Sequence, residues 1–143
     1  EDLMYNSINR DKENLEHLTG KKILGHAYAS GSTSPAVERH LKAKGYLYAR
    51  AVFPSGSFEF PENPLNFRPS SSVIMGNTMK LVKDFLAAKA EDRDLLLYLW
   101  GHSYEMDYGK GAASWDGLER LFATVAGHED IIYCTNSEAF LHI

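Results

Sequence analysis

The 143-residue chain is 44% hydrophobic and 24% charged, the balance of an ordinary globular protein with enough apolar material for one buried core. Its formal net charge of -4, with no Lys/Arg run longer than a pair, supplies no electrostatic footprint for nucleic acid or an anionic membrane surface. No apolar run approaches the roughly 18 residues of a membrane span, and the single cysteine, Cys134, excludes a disulfide framework within the chain.

Ile8, Leu15 and Leu18, interleaved with Asp11, Lys12, Glu13 and Glu16, give a helix-period stripe that Gly20 ends as a C-cap. Residues 22–28 read as a short strand, 35–44 as a helix stopped by Gly45, and 46–53 as a second strand rich in aromatic and β-branched residues. Residues 54–72 hold four of the five prolines and are too long for a plain connector, which predicts a functional or flexible segment. A helix follows over 77–90, with Met79, Val82, Phe85 and Leu86 as its apolar face. Residues 95–100 are apolar throughout and predict a third strand covered on both faces, as in a parallel sheet. A loop with Gly101, Gly109 and Gly111 leads to Ser114, which starts a helix facing Leu118, Leu121, Phe122 and Val125 inward and ended by Gly127. Residues 130–134 predict a fourth strand, with Cys134 packed beside Ile131, Ile132 and Tyr133, and Ser137 opens a last short helix. There is no internal repeat or low-complexity tract.

Strands alternating with helices place the chain in the α/β class, with parallel strands and right-handed crossovers, as a single domain over residues 1–143. Four parallel strands make either a small open sheet or a partial (β/α) barrel. In both architectures ligands and catalytic groups gather at the carboxyl ends of the strands. His102, in the run Trp100-Gly101-His102-Ser103-Tyr104-Glu105, falls just past such an end. It reads either as a catalytic imidazole or as a capping loop residue.

Five segments in order carry a family resemblance: Leu15-Glu16-His17-Leu18-Thr19-Gly20-Lys21-Lys22, His26-Ala27-Tyr28-Ala29-Ser30-Gly31, Gly45-Tyr46-Leu47-Tyr48-Ala49-Arg50, Trp100-Gly101-His102-Ser103-Tyr104-Glu105 and Tyr133-Cys134-Thr135-Asn136-Ser137-Glu138. Together they resemble the later part of a polysaccharide deacetylase domain, the NodB-homology group of carbohydrate esterase family 4. The most specific pieces are residues 95–107 and 135–138. The resemblance implies a distorted (β/α) barrel and metal-assisted hydrolysis of N- or O-acetyl groups on a glycan such as peptidoglycan or a chitin-like polymer. It also implies an extracellular or cell-wall setting. In that family a divalent metal, Zn²⁺ or Co²⁺, held by one Asp and two His, polarises the acetyl carbonyl and a water; a second Asp is the general base and a His protonates the leaving amine.

Carried onto this chain, His102 takes the place of the acid histidine. Leu97 and Leu99 line an acetyl-methyl pocket or are ordinary core leucines. Tyr28 and Ser30 lie in the loop that supplies an oxyanion-binding backbone N–H, with Ser30 the aligned donor. Arg50 reaches glycan hydroxyls or pairs with a carboxylate. Glu105 or Asp107 orients the imidazole, or both merely begin a helix. Trp100, Tyr104, Tyr108 and Trp115 stack on sugar rings or pack. Asn136 and Glu138 are explained by a turn and a helix start.

The departures are as informative. Ala27, Ala29 and Ser30 replace the family's usual Arg, Pro and aromatic residue. The Thr-Phe-Asp-Asp strand and the His-Ser/Thr-x-x-x-His helix belong before Glu1, and neither pattern occurs here, so no metal ligand is assigned within this chain. His17, His26, His40, His128 and His142 are scattered without ligand spacing. The alternative is a non-catalytic carbohydrate- or partner-binding relic of the same fold. An unrelated hydrolase using His102 with a serine nucleophile lacks any Gly-x-Ser-x-Gly elbow. A half barrel also leaves unpaired strand edges, which predicts a homo-oligomer or completion by another chain.

Overall fold

The computed structural model describes residues 2–88, 93–109 and 113–141. The end of the predicted helix over 77–90, Gly111 of the predicted loop, and His142 lie outside the described residues. The protein is mixed α/β, in the order α1 (Asp2–Thr19), β1 (Gly25–Ala27), α2 (Pro35–Ala43), β2 (Tyr48–Arg50), β3 (Ser71–Ser72), α3 (Thr78–Ala87), β4 (Leu99–Trp100), α4 (Glu105–Tyr108), α5 (Trp115–Val125) and α6 (Asn136–Leu141). All of its named strand pairs are parallel, as the alternating pattern requires. Gly20, Gly45 and Gly127 stand just past helices with φ of 65°, 78° and 76°, the left-handed conformation of a helix C-terminus. Among the described residues no helix is long and apolar enough to cross a membrane.

Two compact units are resolved. The first comprises Glu1–Val52, Glu62–Phe67 and Cys134–Ile143. Here β1 pairs with β2 in the register Gly25↔Tyr48, His26↔Ala49 and Ala27↔Arg50. Phe67 extends the pair: its N–H donates to Ala49 O (3.0 Å) and its carbonyl accepts from Ala51 N–H (2.8 Å). Pro35 opens α2 behind Ser34, whose Oγ accepts from Val37 N–H. That helix buries Val37 and Leu41 against Tyr28, Tyr46 and Ala49, with Tyr5, Ile8, Ile23 and Leu65 around them. Tyr48, Phe67 and Phe140 form a second aromatic group, Phe140 stacking on Tyr48 at 4.8 Å.

Helix α1 seats on this core differently from its predicted stripe. Ile8 packs inward, but Leu15 is 37% and Leu18 80% exposed. Residues on the neighbouring stripe take their place, because Lys12 donates to Ile23 O and Glu16 Oε1 accepts from Ile23 N–H. The 12–16 ion pair and Tyr5 thus fix which face turns inward. The last helix, α6, begins with a reciprocal cap. Thr135 N–H donates to Glu138 Oε2 (2.7 Å) and Glu138 N–H to Thr135 Oγ1 (3.3 Å), which accounts for the Thr-x-x-Glu spacing without further function.

The second unit comprises Phe53–Pro61 and Arg68–Tyr133. Its sheet pairs Ser71 with Leu99 and Ser72 with Trp100. The ladder continues on both sides, with Ser70 N–H donating to Tyr98 O (2.8 Å) and Val73 N–H to Trp100 O (2.9 Å), and Leu96 N–H donates to Phe58 O (2.7 Å) on a separate segment. So the proline-rich segment is not merely loop: it supplies Phe67 to one sheet and β3 to the other. Helix α3 packs on β3 and α5 packs on α3 and α4, and Val82, Leu121, Val73 and Met106 are buried. A knot of hydroxyls completes the core. Thr78 Oγ1 lies 2.7 Å from Ser72 O, 2.9 Å from Met75 O and 3.1 Å from Ser71 Oγ.

Four expectations are corrected in this unit and its flank. Residues 95–100 are half-buried rather than covered on both faces, and only Leu99–Trp100 is regular strand. Of the predicted inward face of α5, Leu121 is buried and Leu118 and Val125 are half-buried, but Phe122 is 59% exposed and Gly117 is buried instead. Residues 130–134 form no strand, because Tyr133 OH folds back to donate to Val125 O (2.6 Å) and accept from His128 N–H (3.0 Å), finishing α5. Cys134 is exposed, not packed.

Candidate functional site

The carboxyl end of β4 delivers Gly101 and His102, followed at once by the short helix α4. Gly101 is demanded by space. A Cβ there would fall 2.2 Å from Val73 Cγ2 and 3.4 Å from Glu105 Oε2, so only glycine lets Val73 seal the core while the Glu105 carboxylate reaches back. That carboxylate makes two contacts with His102. Its Oε2 accepts from the His102 backbone N–H (2.7 Å) and its Oε1 lies 3.3 Å from Nδ1 of the ring.

The imidazole is held on its faces as well. Tyr104 stacks on it at 5.2 Å with planes 24° apart, and Trp100 meets it edge-on at 5.4 Å. Its side chain is 50% exposed, against 17% for Glu105. The result is a ring fixed at Nδ1 by a sheltered carboxylate, with Nε2 making no hydrogen bond among the described residues. Such a ring can pass a proton at Nε2 without reorienting.

Of the two carboxylates offered by the sequence, the geometry selects Glu105. Asp107 instead accepts from Trp115 Nε1 at 2.7 Å and so ties α4 to the start of α5. Leu97 and Leu99 are both half-buried in the run leading to the site, and Leu99, on β4, lies opposite Ser71. The supporting role of Tyr104 was not legible beforehand, although its place two residues after His102 was the available signal.

Tyr28, Ser30 and Arg50 belong to the first unit, at the carboxyl ends of β1 and β2. Tyr28 N–H donates to Arg50 O (3.1 Å). The Tyr28 side chain is a core residue, 4% exposed, whose OH donates to Leu65 O at 2.5 Å; burial pushes this phenol above its ordinary pKa. Arg50 Nη1 donates to Ala51 O (3.1 Å). Ser30 is exposed and has φ 54°, a left-handed conformation that is rare for a residue with a Cβ. Its backbone N–H makes no hydrogen bond among the described residues, so the turn Ala29–Gly31 presents an available donor.

His40 and His128 have structural partners. His40 stacks on Tyr5 at 4.3 Å and contacts Asn9 Oδ1 at 2.9 Å, and the His128 ring lies 3.0 Å from Thr124 O. Among the described residues no three His, Cys, Asp or Glu side chains converge as a metal site would require. Around His102 itself the donor set is one imidazole and one carboxylate already engaged through both oxygens, which does not fit a bound divalent metal. No family model, curated protein or solved structure matches this chain.

Proposed function

We propose that the chain is the later part of a metal-dependent polysaccharide deacetylase, an arc of a (β/α) barrel acting on an acetylated glycan, with His102 as the group that protonates the departing nitrogen. The observation that supports this reading is a half-exposed imidazole, braced by Glu105 and Tyr104, just past the carboxyl end of a parallel strand pair. In the reaction, water adds to the acetyl carbonyl, the C–N bond breaks, acetate leaves, and the nitrogen takes a proton from Nε2 of His102. Glu105 is the positioning residue. Leu97 and Leu99, in the same unit as His102, flank the acetyl methyl. Metal and general base are assigned by the resemblance to motifs that these 143 residues do not contain, so no step is derived through them.

A second reading, a non-catalytic glycan-binding relic, draws on the exposed rings of Tyr104, Tyr108 and Trp115 and needs no metal. Acetate release from an N-acetylated chitooligosaccharide separates the two. The gene product carrying these residues, supplied with Zn²⁺ or Co²⁺, is expected to release acetate, and His102→Ala to lower kcat by about 10²–10⁴. Full activity in His102→Ala would overturn the assignment of His102, and no release with either metal would leave the relic reading.

A further inference from the structure

We propose that α4 and the start of α5 form an aromatic platform that binds the sugar rings of a glycan chain beside His102. This inference rests on the glycan reading above and assigns it a binding surface. Tyr104, Tyr108 and Trp115 are 58%, 82% and 54% exposed, an unusual concentration of open aromatic surface within twelve residues of chain. Tyr104 and Tyr108 are spaced i,i+4, so successive rings lie on one side of α4, and Asp107 projects beside them; Met106, on the opposite side, is buried at 4% and anchors the turn in the core.

Trp115 joins the same side because its indole N–H is held by Asp107 Oδ1 at 2.7 Å. The backbone reinforces that approach. A Cβ on Gly109 would fall 1.2 Å from Ala113 O, so the chain can return to Ser114 and Trp115 only because residue 109 has no side chain. Ser114 then caps α5 through Gly117 N–H, which fixes where Trp115 starts the helix.

Two features point to a sugar rather than to an apolar protein surface. The Trp115 indole is held at its edge by Asp107, and the His102 ring stacked on Tyr104 is held by Glu105, so carboxylates stand beside the exposed rings. Pyranose rings present apolar C–H faces and equatorial hydroxyls, and such a surface answers both: the ring faces take the C–H bonds and Asp107 accepts from a hydroxyl. The platform is also continuous with the candidate site, since Tyr104 touches His102 directly. A second glycan unit stacked there would hold its neighbour against the imidazole.

The test is a titration of the protein with chitopentaose, followed by tryptophan fluorescence and by calorimetry, on the parent chain and on Leu18→Ala, Tyr108→Ala, Trp115→Ala and Asp107→Ala. Saturable binding is expected, with Tyr108→Ala and Trp115→Ala each weakening it at least about tenfold, as truncation of an anchoring aromatic does. Asp107→Ala, which frees the indole while keeping the ring, is expected to weaken it about threefold through lost preorganisation. Leu18→Ala, which removes an exposed apolar side chain that is not part of the platform, should bind as the parent does. Unaltered circular dichroism in each variant keeps the comparison valid, and these side chains are exposed enough to tolerate removal.

Parent binding that survives all three platform substitutions would overturn the platform, as would the absence of any parent binding at 10-millimolar-scale glycan, on the order of the weakest specific affinities. Binding lost in the platform variants together with no acetate release by the gene product would keep the platform and remove the deacetylase reading. Acetate release that is indifferent to Tyr108 and Trp115 would do the reverse.

Discussion

In the first unit the turn after β1 goes inward: Tyr28 sinks to 4% exposure and its hydroxyl is spent on Leu65 O. After β4 in the second unit the turn goes outward, and the first side chain past the strand, His102, stands half in solvent with a carboxylate behind it. Both turns leave the carboxyl end of a short parallel pair, so the scaffold does not decide the outcome. The residue at the exit does. A tyrosine long enough to span the core to a carbonyl is drawn in, whereas a glycine that admits Val73 into the space of its missing Cβ closes the core first and leaves the next residue outside. The rest of each unit follows suit. The first packs aromatics against one another in its core, while the second buries hydroxyls and leaves Phe53, Tyr104, Tyr108, Trp115, Phe122 and Tyr133 more than half exposed.

The sharpest way to break this contrast is to remove one ring from each side. Phe67 is 1% exposed between Tyr48 and Phe140 and also carries the hydrogen bonds that add a third segment to β2. Phe67→Ala is expected to cost about 3–5 kcal/mol in urea unfolding followed by circular dichroism. Phe122→Ala, which removes a 59% exposed ring, should stay within about 0.5 kcal/mol. Equal costs would mean that the aromatic packing of the two units is not the distinction it appears from burial.

The hydroxyl knot of the second unit is tested next. Thr78→Val keeps the shape and deletes the oxygen that lies within bonding distance of Ser72 O, Met75 O and Ser71 Oγ. Leaving those buried acceptors short of a donor is expected to cost about 1–3 kcal/mol. Both tryptophans, Trp100 and Trp115, are in this unit, so their fluorescence reports its unfolding directly. An unchanged fluorescence midpoint would show that the knot is replaceable by plain apolar packing.

Helices with caps were the legible part of this chain. Ser34-Pro35, Ser114 and the glycines at 20, 45 and 127 act locally, and they bound helices to within a residue or two. Strands were less legible because their partners are distant. Ser71 and Ser72 have no strand propensity and follow Pro69, yet they pair with Leu99 and Trp100, whose own pattern suggested far deeper burial. Residues 131–133 look β-branched and aromatic, but a single hydroxyl, Tyr133 OH, finds a better use at the end of α5. At the site, the position of His102 could be read from the apolar run before it. The choice of Glu105 over Asp107 could not, since it turns on where Trp115 returns in space, and that depends on the close approach of Gly109 to Ala113.

The smallest effect expected is a pH dependence confined to the first unit. His26 lies between the edges of Tyr28 and Tyr46, at 5.2 and 5.7 Å, and burial there holds its pKa below the ordinary 6.5, with the Asp11 carboxylate opposing the shift. Between the lowered folded value and 6.5 the unfolded chain therefore binds more protons than the folded one, so stability rises with pH in that window. The contribution is fully present above 6.5, declines as the pH falls through the window and is gone below the folded value. His26→Phe removes the titration while keeping an edge-packing ring. The urea midpoint of the parent is expected to fall more steeply than that of the variant from pH 7 to pH 5, and parallel curves would show that this ring is solvated well enough to protonate in place.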